Sequence, residues 1–132
     1  MERLLSAGLL PALAVAPSEG QPKLRAAIAG WIGVEIQSVM VTLGAQEGID
    51  LIARCLIEPG DYAIVESPTY RGAIQALRAA GARLVEWDTS WSLHRLESLL
   101  LTYKPKLVLT TPTFQNLRAV LCPWPPGTAF WN

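Results

Sequence analysis

Residues 45–87 read AQEGIDLIARCLIEPGDYAIVESPTYRGAIQALRAAGARLVEW, and the spacing of apolar positions along them decides the fold. Ile49, Ile52, Ala53 and Leu56 recur at helical spacing and stop at Glu58-Pro59-Gly60-Asp61, a turn signal. The run "YAIVE" is short, apolar and unbroken, as a strand in a covered sheet is. "TYRGAIQALRAAG" returns to the helical period, and "ARLVEW" to a strand. A helix between two strands is a crossover, so the strands it joins are parallel.

Outward from this core the alternation continues. Upstream, "PKLRAAIAGWIG" has Pro22 at a first helical position, Leu24, Ile28 and Trp31 or Ile32 on one face, and Gly33 as a stop. "SVMVTLG" (38–44) then reads as a short buried strand closed by glycine. Downstream, "SLHRLESLLLTY" places Leu93, Leu96, Leu100 and Tyr103 on one helical face, and "KLVLT" is a fourth strand. The expected fold class is α/β, with three layers, helix–sheet–helix, around a mainly parallel sheet.

Bulk properties narrow the function. A chain of 132 residues has room for one domain and one modest core, yet 51% of it is hydrophobic, high for a small free-standing domain. It reads as a piece of something larger. Eleven basic and eleven acidic residues, mixed along the chain, leave no stripe for nucleic acid. Cys55, Cys122 and His94 are too few for a disulfide framework or a metal site, and fit a reducing cytoplasm. Residues 1–17 form an apolar segment too short to span a bilayer. Glu2 cancels Arg3 and Pro11 interrupts the run, which argues against an export signal.

Parallel sheets bind ligands beyond the carboxyl ends of their strands, which confines the search to "TLGAQEG", "ESPTYRG", "WDTSWS" and "TTPTFQN". In the first, Gly44 permits a tight turn and a helix starts near Ala45, so unpaired N–H groups at the positive end of its dipole offer a phosphate seat. In the second, Ser67-Pro68-Thr69 presents Tyr70, whose ring can lie over a flat heteroaromatic ligand. In the fourth, Asn116 brings a side-chain amide to the same edge. Taken singly, these are equally a glycine turn, a packing tyrosine and a turn asparagine. Together they describe a pocket for a planar, phosphorylated cofactor.

The order "GAQ", "PTY", "PTFQN", with the wording "EGQPKLRAAIA", "TLGAQEGIDLIARCLIEPGD" and "ESPTYRGAIQALRAAGARLV", resembles the large domain of the class I/II aminotransferases, which are pyridoxal-phosphate-dependent enzymes of fold type I. It is equally similar to the aminotransferase-like domain of MocR-type regulators in the GntR group. The resemblance implies a partial large domain over residues 18–116, between the apolar segment 1–17 and a divergent tail 117–132. It implies pyridoxal 5'-phosphate as cofactor, with Gly44, Ala45 and Gln46 holding its phosphate, Tyr70 stacked on the pyridine ring and Asn116 bonded to the phenolic oxygen. An amino acid and a 2-oxo acid would be the parent enzyme's substrates, a homodimer its assembly, and nucleic acid no partner of this segment.

The family's remaining machinery has no counterpart. Its cofactor-bonding lysine, its pyridinium-pairing aspartate and its substrate-binding arginine belong downstream of the asparagine loop. Lys23, Lys104 and Lys106 read as surface residues, Asp88 takes no role, and His94 with Glu97 reads as an exposed helix pair. Thr42, Thr110 and Thr111 are explained as β-branched strand residues. No catalytic residue is assigned, and the chain alone is expected to be inactive. Three readings stand: part of a transaminase, part of a regulator that senses the cofactor, and a degenerate fragment. A different nucleotide-binding domain is disfavoured, since "TLGAQEG" is neither a GxGxxG nor a GxxxxGK[ST] motif.

After Asn116 the family continues Pro-Thr-Gly, whereas this chain continues "LRAVLCPWPPGTAFWN". Pro123, Pro125 and Pro126 block the next helix, so the tail is expected to arise from truncation or a frameshift. Reading the DNA beyond codon 116 in the other two frames should recover the family's aspartate and lysine motifs, and their absence from both frames would end this explanation.

Overall fold

The computed structural model describes residues 15–88, 90 and 92–111; Asn116 and the tail 117–132 lie outside them. The chain divides into two compact units, Met1–Ala45 and Gln46–Asn132.

In the first unit, α1 (Pro22–Ile32) starts on its proline, as expected, and ends at Gly33, whose N–H reaches Ala29 O at 2.9 Å. A 3₁₀ turn, Ile36–Ser38, follows. Arg25 ties helix to turn: its Nε donates to Val39 O at 2.7 Å and its Nη2 to Ile36 O at 2.9 Å. Two expectations fail in this unit. Residues 38–44 do not form a sheet strand; Val41 N–H bonds Glu19 O at 2.9 Å, and no described strand pairs with the segment. Strand propensity needs a partner to become a strand. The face of α1 expected to be inward is open: Trp31 is 86% exposed, Leu24 and Ile32 are also exposed, and Ala29 is the buried residue.

The second unit carries the sheet. α2 (Ala45–Leu56) leads into β1 (Tyr62–Glu66), α3 (Arg71–Ala79), β2 (Arg83–Trp87), α4 (Leu93–Tyr103) and β3 (Leu107–Leu109). The strand order is β2-β1-β3, and both pairings are parallel. Within this unit the expected crossovers are therefore present, with three strands among the described residues instead of four.

Strand alternation assigns each residue of β1 to a face. Ala63 and Val65 pack with Ala53 and Ile57 at the end of α2 and with Leu77 of α3. Ile64 points the other way and packs with Trp87, Leu96 and Leu99. This gives the three layers expected: α2 and α3 on one side, α4 on the other. The helix faces are rotated slightly from their expected positions. Leu99, not Leu100, joins Leu96 in the core; Ala53 is buried as expected, with Ile57 beside it, while Ile52 and Leu56 are exposed. A small residue at position 53 lets the helix approach the sheet, which turns its bulkier neighbours outward.

The sheet centre should dominate stability. Ile64→Ala, at a fully buried position, is expected to cost about 3 kcal/mol in urea unfolding. Leu101→Ala, at an exposed one, should change stability by under about 0.5 kcal/mol. Equal losses would show that the core lies elsewhere.

Candidate functional site

The carboxyl ends of the three strands lie at one edge of the sheet because all three run in the same direction. β1 leaves through Ser67 and Pro68, joined by a cis peptide, and Ser67 N–H extends the ladder to Trp87 O at 2.9 Å. Thr69 is buried, and Tyr70 stands at the N-cap of α3 with its ring partly exposed. Its carbonyl accepts the N–H of Ala73 at 3.1 Å, so the backbone at Tyr70 is set by the helix it opens.

Gln46 reaches the same place. Its Nε2 donates to Gly72 O at 3.2 Å. A Cβ on Gly72 would collide with Gln46 Oε1 and come within 2.5 Å of Tyr70 Cε1. Two sequence-predicted residues, Gln46 and Tyr70, are thus brought together over a glycine whose missing side chain makes room for both.

Gly44 has φ +131°, a conformation nearly confined to glycine, and Ala45 opens α2 directly after it. Thr42 Oγ1 donates to Gly44 O at 3.0 Å, which holds the turn from the other side. The first N–H groups of α2 are helix-terminal donors, and Glu47 in the first turn complements the helix dipole. Asn116 lies outside the described residues.

At the exit of β3, Thr110 Oγ1 and Thr111 N–H both donate to Glu66 Oε1, the latter at 2.9 Å. Glu66 is 1% exposed. These threonines do more than the strand propensity read for them at first. The remaining candidates keep their surface roles. His94 Nδ1 stands 3.5 Å from Glu97 Oε2, both well exposed, while Lys104 and Lys106 flank the entry to β3, at the end of the strand away from the exits. Among the described residues no group of three His, Cys, Asp or Glu could hold a metal ion.

Residues 11–116 match the protein family described as aminotransferase class I and II. The chain belongs to that family. Curated aminotransferase relatives include the 2-aminoadipate transaminase of Thermus thermophilus, 37% identical over 117 residues that cover 86% of this chain and 30% of that enzyme. The probable rhizopine catabolism regulatory protein MocR of Rhizobium meliloti is 36% identical, covering 82% of this chain and 21% of the regulator. The chain therefore spans less than a third of the length of these relatives. Among solved structures, the alpha-aminoadipate aminotransferase of Thermus thermophilus, complexed with N-(5'-phosphopyridoxyl)-L-leucine, superposes with a TM-score of 0.83 at 35% identity over 92% of this chain and 32% of that one. The kynurenine aminotransferase of Pyrococcus horikoshii, in complex with PMP, gives 0.75 at 30% identity, over 87% and 32%. The α/β fold is that of the fold-type I aminotransferases.

Two residues at this edge of the sheet were not singled out by the sequence. Gly72 had a signal: a glycine in the first turn of a helix weakens it and needs a reason. Glu66 had one too, as a carboxylate ending an apolar strand. The close approach at Gly72 gives a direct test. Gly72→Ala should shift the ring resonances of Tyr70 while the methyl resonances of Ile64 and Leu77 stay in place. An unmoved Tyr70 would show that the ring does not depend on this glycine.

Proposed function

We propose that residues 18–116 are the cofactor-holding part of the large domain of a pyridoxal-phosphate-dependent aminotransferase, whose whole form moves an amino group between an amino acid and a 2-oxo acid. The observation that carries this reading is the meeting of Gln46 and Tyr70 over Gly72, beyond a parallel strand, in a chain of this family. The residues present fit such a cofactor. An aromatic face suits a flat pyridine ring, and the glycine-led start of α2 supplies N–H donors of the kind that hold a phosphate.

In this reading Gly44, Ala45 and Gln46 hold the phosphate, Tyr70 lies on the ring, and Asn116 donates to the phenolic oxygen. When bound, the cofactor supplies an electron sink for bond breaking at the alpha carbon of an amino acid. The residues of this chain bind and orient, and none of them is assigned to move a proton. Lys104 and Lys106, at the entry to β3, are unsuited to bonding a ligand at the strand exits. A homodimer in the cytoplasm is the setting that accompanies this function.

A second reading, a cofactor-sensing domain of a MocR-type regulator, is favoured by the 36% identity to MocR. Upstream DNA encoding a basic winged-helix segment would select it over the enzyme.

Equilibrium dialysis of the chain against pyridoxal phosphate, with pyridoxal as the comparison, tests cofactor holding. The phosphorylated form should bind the more tightly, and Gly44→Ala should erase much of that difference. Tyr70→Ala should weaken both forms about three- to tenfold, the range of one aromatic stacking contact. Borohydride treatment should leave no adduct at a defined lysine. Equal affinity for the two forms would sink the reading.

A further inference from the structure

Glu66 ends an apolar strand in which its neighbours Val65 and Ile64 are fully buried, and it is buried with them. Burying a carboxylate is costly unless its oxygens find donors, so a position that needed only to fill the core would be better served by an aliphatic side chain. Both donors that Glu66 Oε1 does find belong to one short segment. They are the hydroxyl of Thr110 and the main-chain N–H of Thr111.

That segment begins where the sheet stops guiding the chain. β3 is three residues long, and its last pairing with β1 joins Leu109 to Val65. Glu66 and Thr110 are the next positions along each strand. Beyond them no ladder pairing of β3 is present among the described residues, and the carboxylate continues the guidance by one side-chain and one backbone bond. Its other oxygen, Oε2, has no hydrogen-bond partner among the described residues, and neither has Trp87 Nε1 on the register-paired position of β2. The unmet polar demand of the core thus falls at the carboxyl edge of the sheet, where a structure tolerates such cost for a positional requirement. No described cation pairs with Glu66, so holding the exit of β3 is the interaction that offsets its burial.

We propose that Glu66 is a positioning residue: it fixes the direction in which the chain leaves β3, and through Thr111 the start of the segment that leads to Asn116. The link to the cofactor rests on the proposed function above; the hold on Thr111 does not. Glutamate is suited to the task because one oxygen accepts a side-chain and a main-chain donor together, which fixes the backbone as well as the threonine.

Amide hydrogen exchange of the 132-residue chain tests this, with the Thr111 amide compared against Ile64 in the central strand. Glu66→Ala should speed exchange at Thr111 about five- to tenfold more than at Ile64, the effect of losing one local hydrogen bond. Glu66→Gln keeps an acceptor oxygen and should restore Thr111 to within about threefold of the unaltered chain. Glu66→Leu gives the Ala reading with the volume filled. Pyridoxal phosphate affinity should fall with Ala and Leu and recover with Gln. Equal acceleration at Thr111 and Ile64, an unchanged Thr111, or unfolding of both the Ala and Leu variants would reduce Glu66 to a core residue and overturn the proposal. If the unaltered chain binds no pyridoxal phosphate, the cofactor reading falls, and the exchange comparison still decides Glu66.

Discussion

The second unit depends on β1 being buried on both faces. Ile64 packs toward Trp87, Leu96 and Leu99, and Ala63 and Val65 pack toward Ala53, Ile57 and Leu77, so three consecutive residues connect two helical layers. The sheet order puts this strand in the centre, where every pairing among the described strands includes it. The edge at the strand exits inherits that rigidity. Ser67, Tyr70 and Glu66 take their positions from a strand that cannot shift without disturbing both cores.

Most of the second unit was legible because its signals are local. The change from helical to strand period along residues 45–87 marks β1 and β2 nearly to the residue, and the crossover rule makes them parallel without further information. What was not legible depends on partners. Residues 38–44 look like a strand, but a strand is completed by a neighbour, and no described strand pairs with them. Leu24, Trp31 and Ile32 look like a core face, yet a period identifies a stripe and not what covers it. On α4 the choice between Leu99 and Leu100 is a small rotation that only packing fixes.

The candidate site divides in the same way. Gln46 and Tyr70 were readable as types, an amide at a helix start and an aromatic beyond a strand. Their meeting over Gly72 was not, because it depends on a side chain that is absent. Thr110 and Thr111 were passed over as strand formers. Their partner is Glu66, 44 residues from Thr110 and 45 from Thr111, a separation at which no local pattern reports contact. The chain belongs to the aminotransferase family and covers under a third of the length of its relatives, and the close approach at Gly72 lies beyond the exit of β1.

The strand order has a consequence for how the chain comes together as it is made. β1 can close against β2 early, since Ser67, whose hydroxyl donates to the Glu86 carboxylate, is only 19 residues from it and the helix between them is short. β3 has to wait for α4 to be synthesised, and it then docks on the opposite side of a strand already in place. Until then one side of the central strand shows its main-chain groups to whatever else is in solution, which is the stage at which edge-to-edge pairing with other chains competes. The carboxylate of Glu66 is part of the surface that β3 finds on arrival. The last of the described strands to be synthesised is thus received by a group that is already anchored in β1.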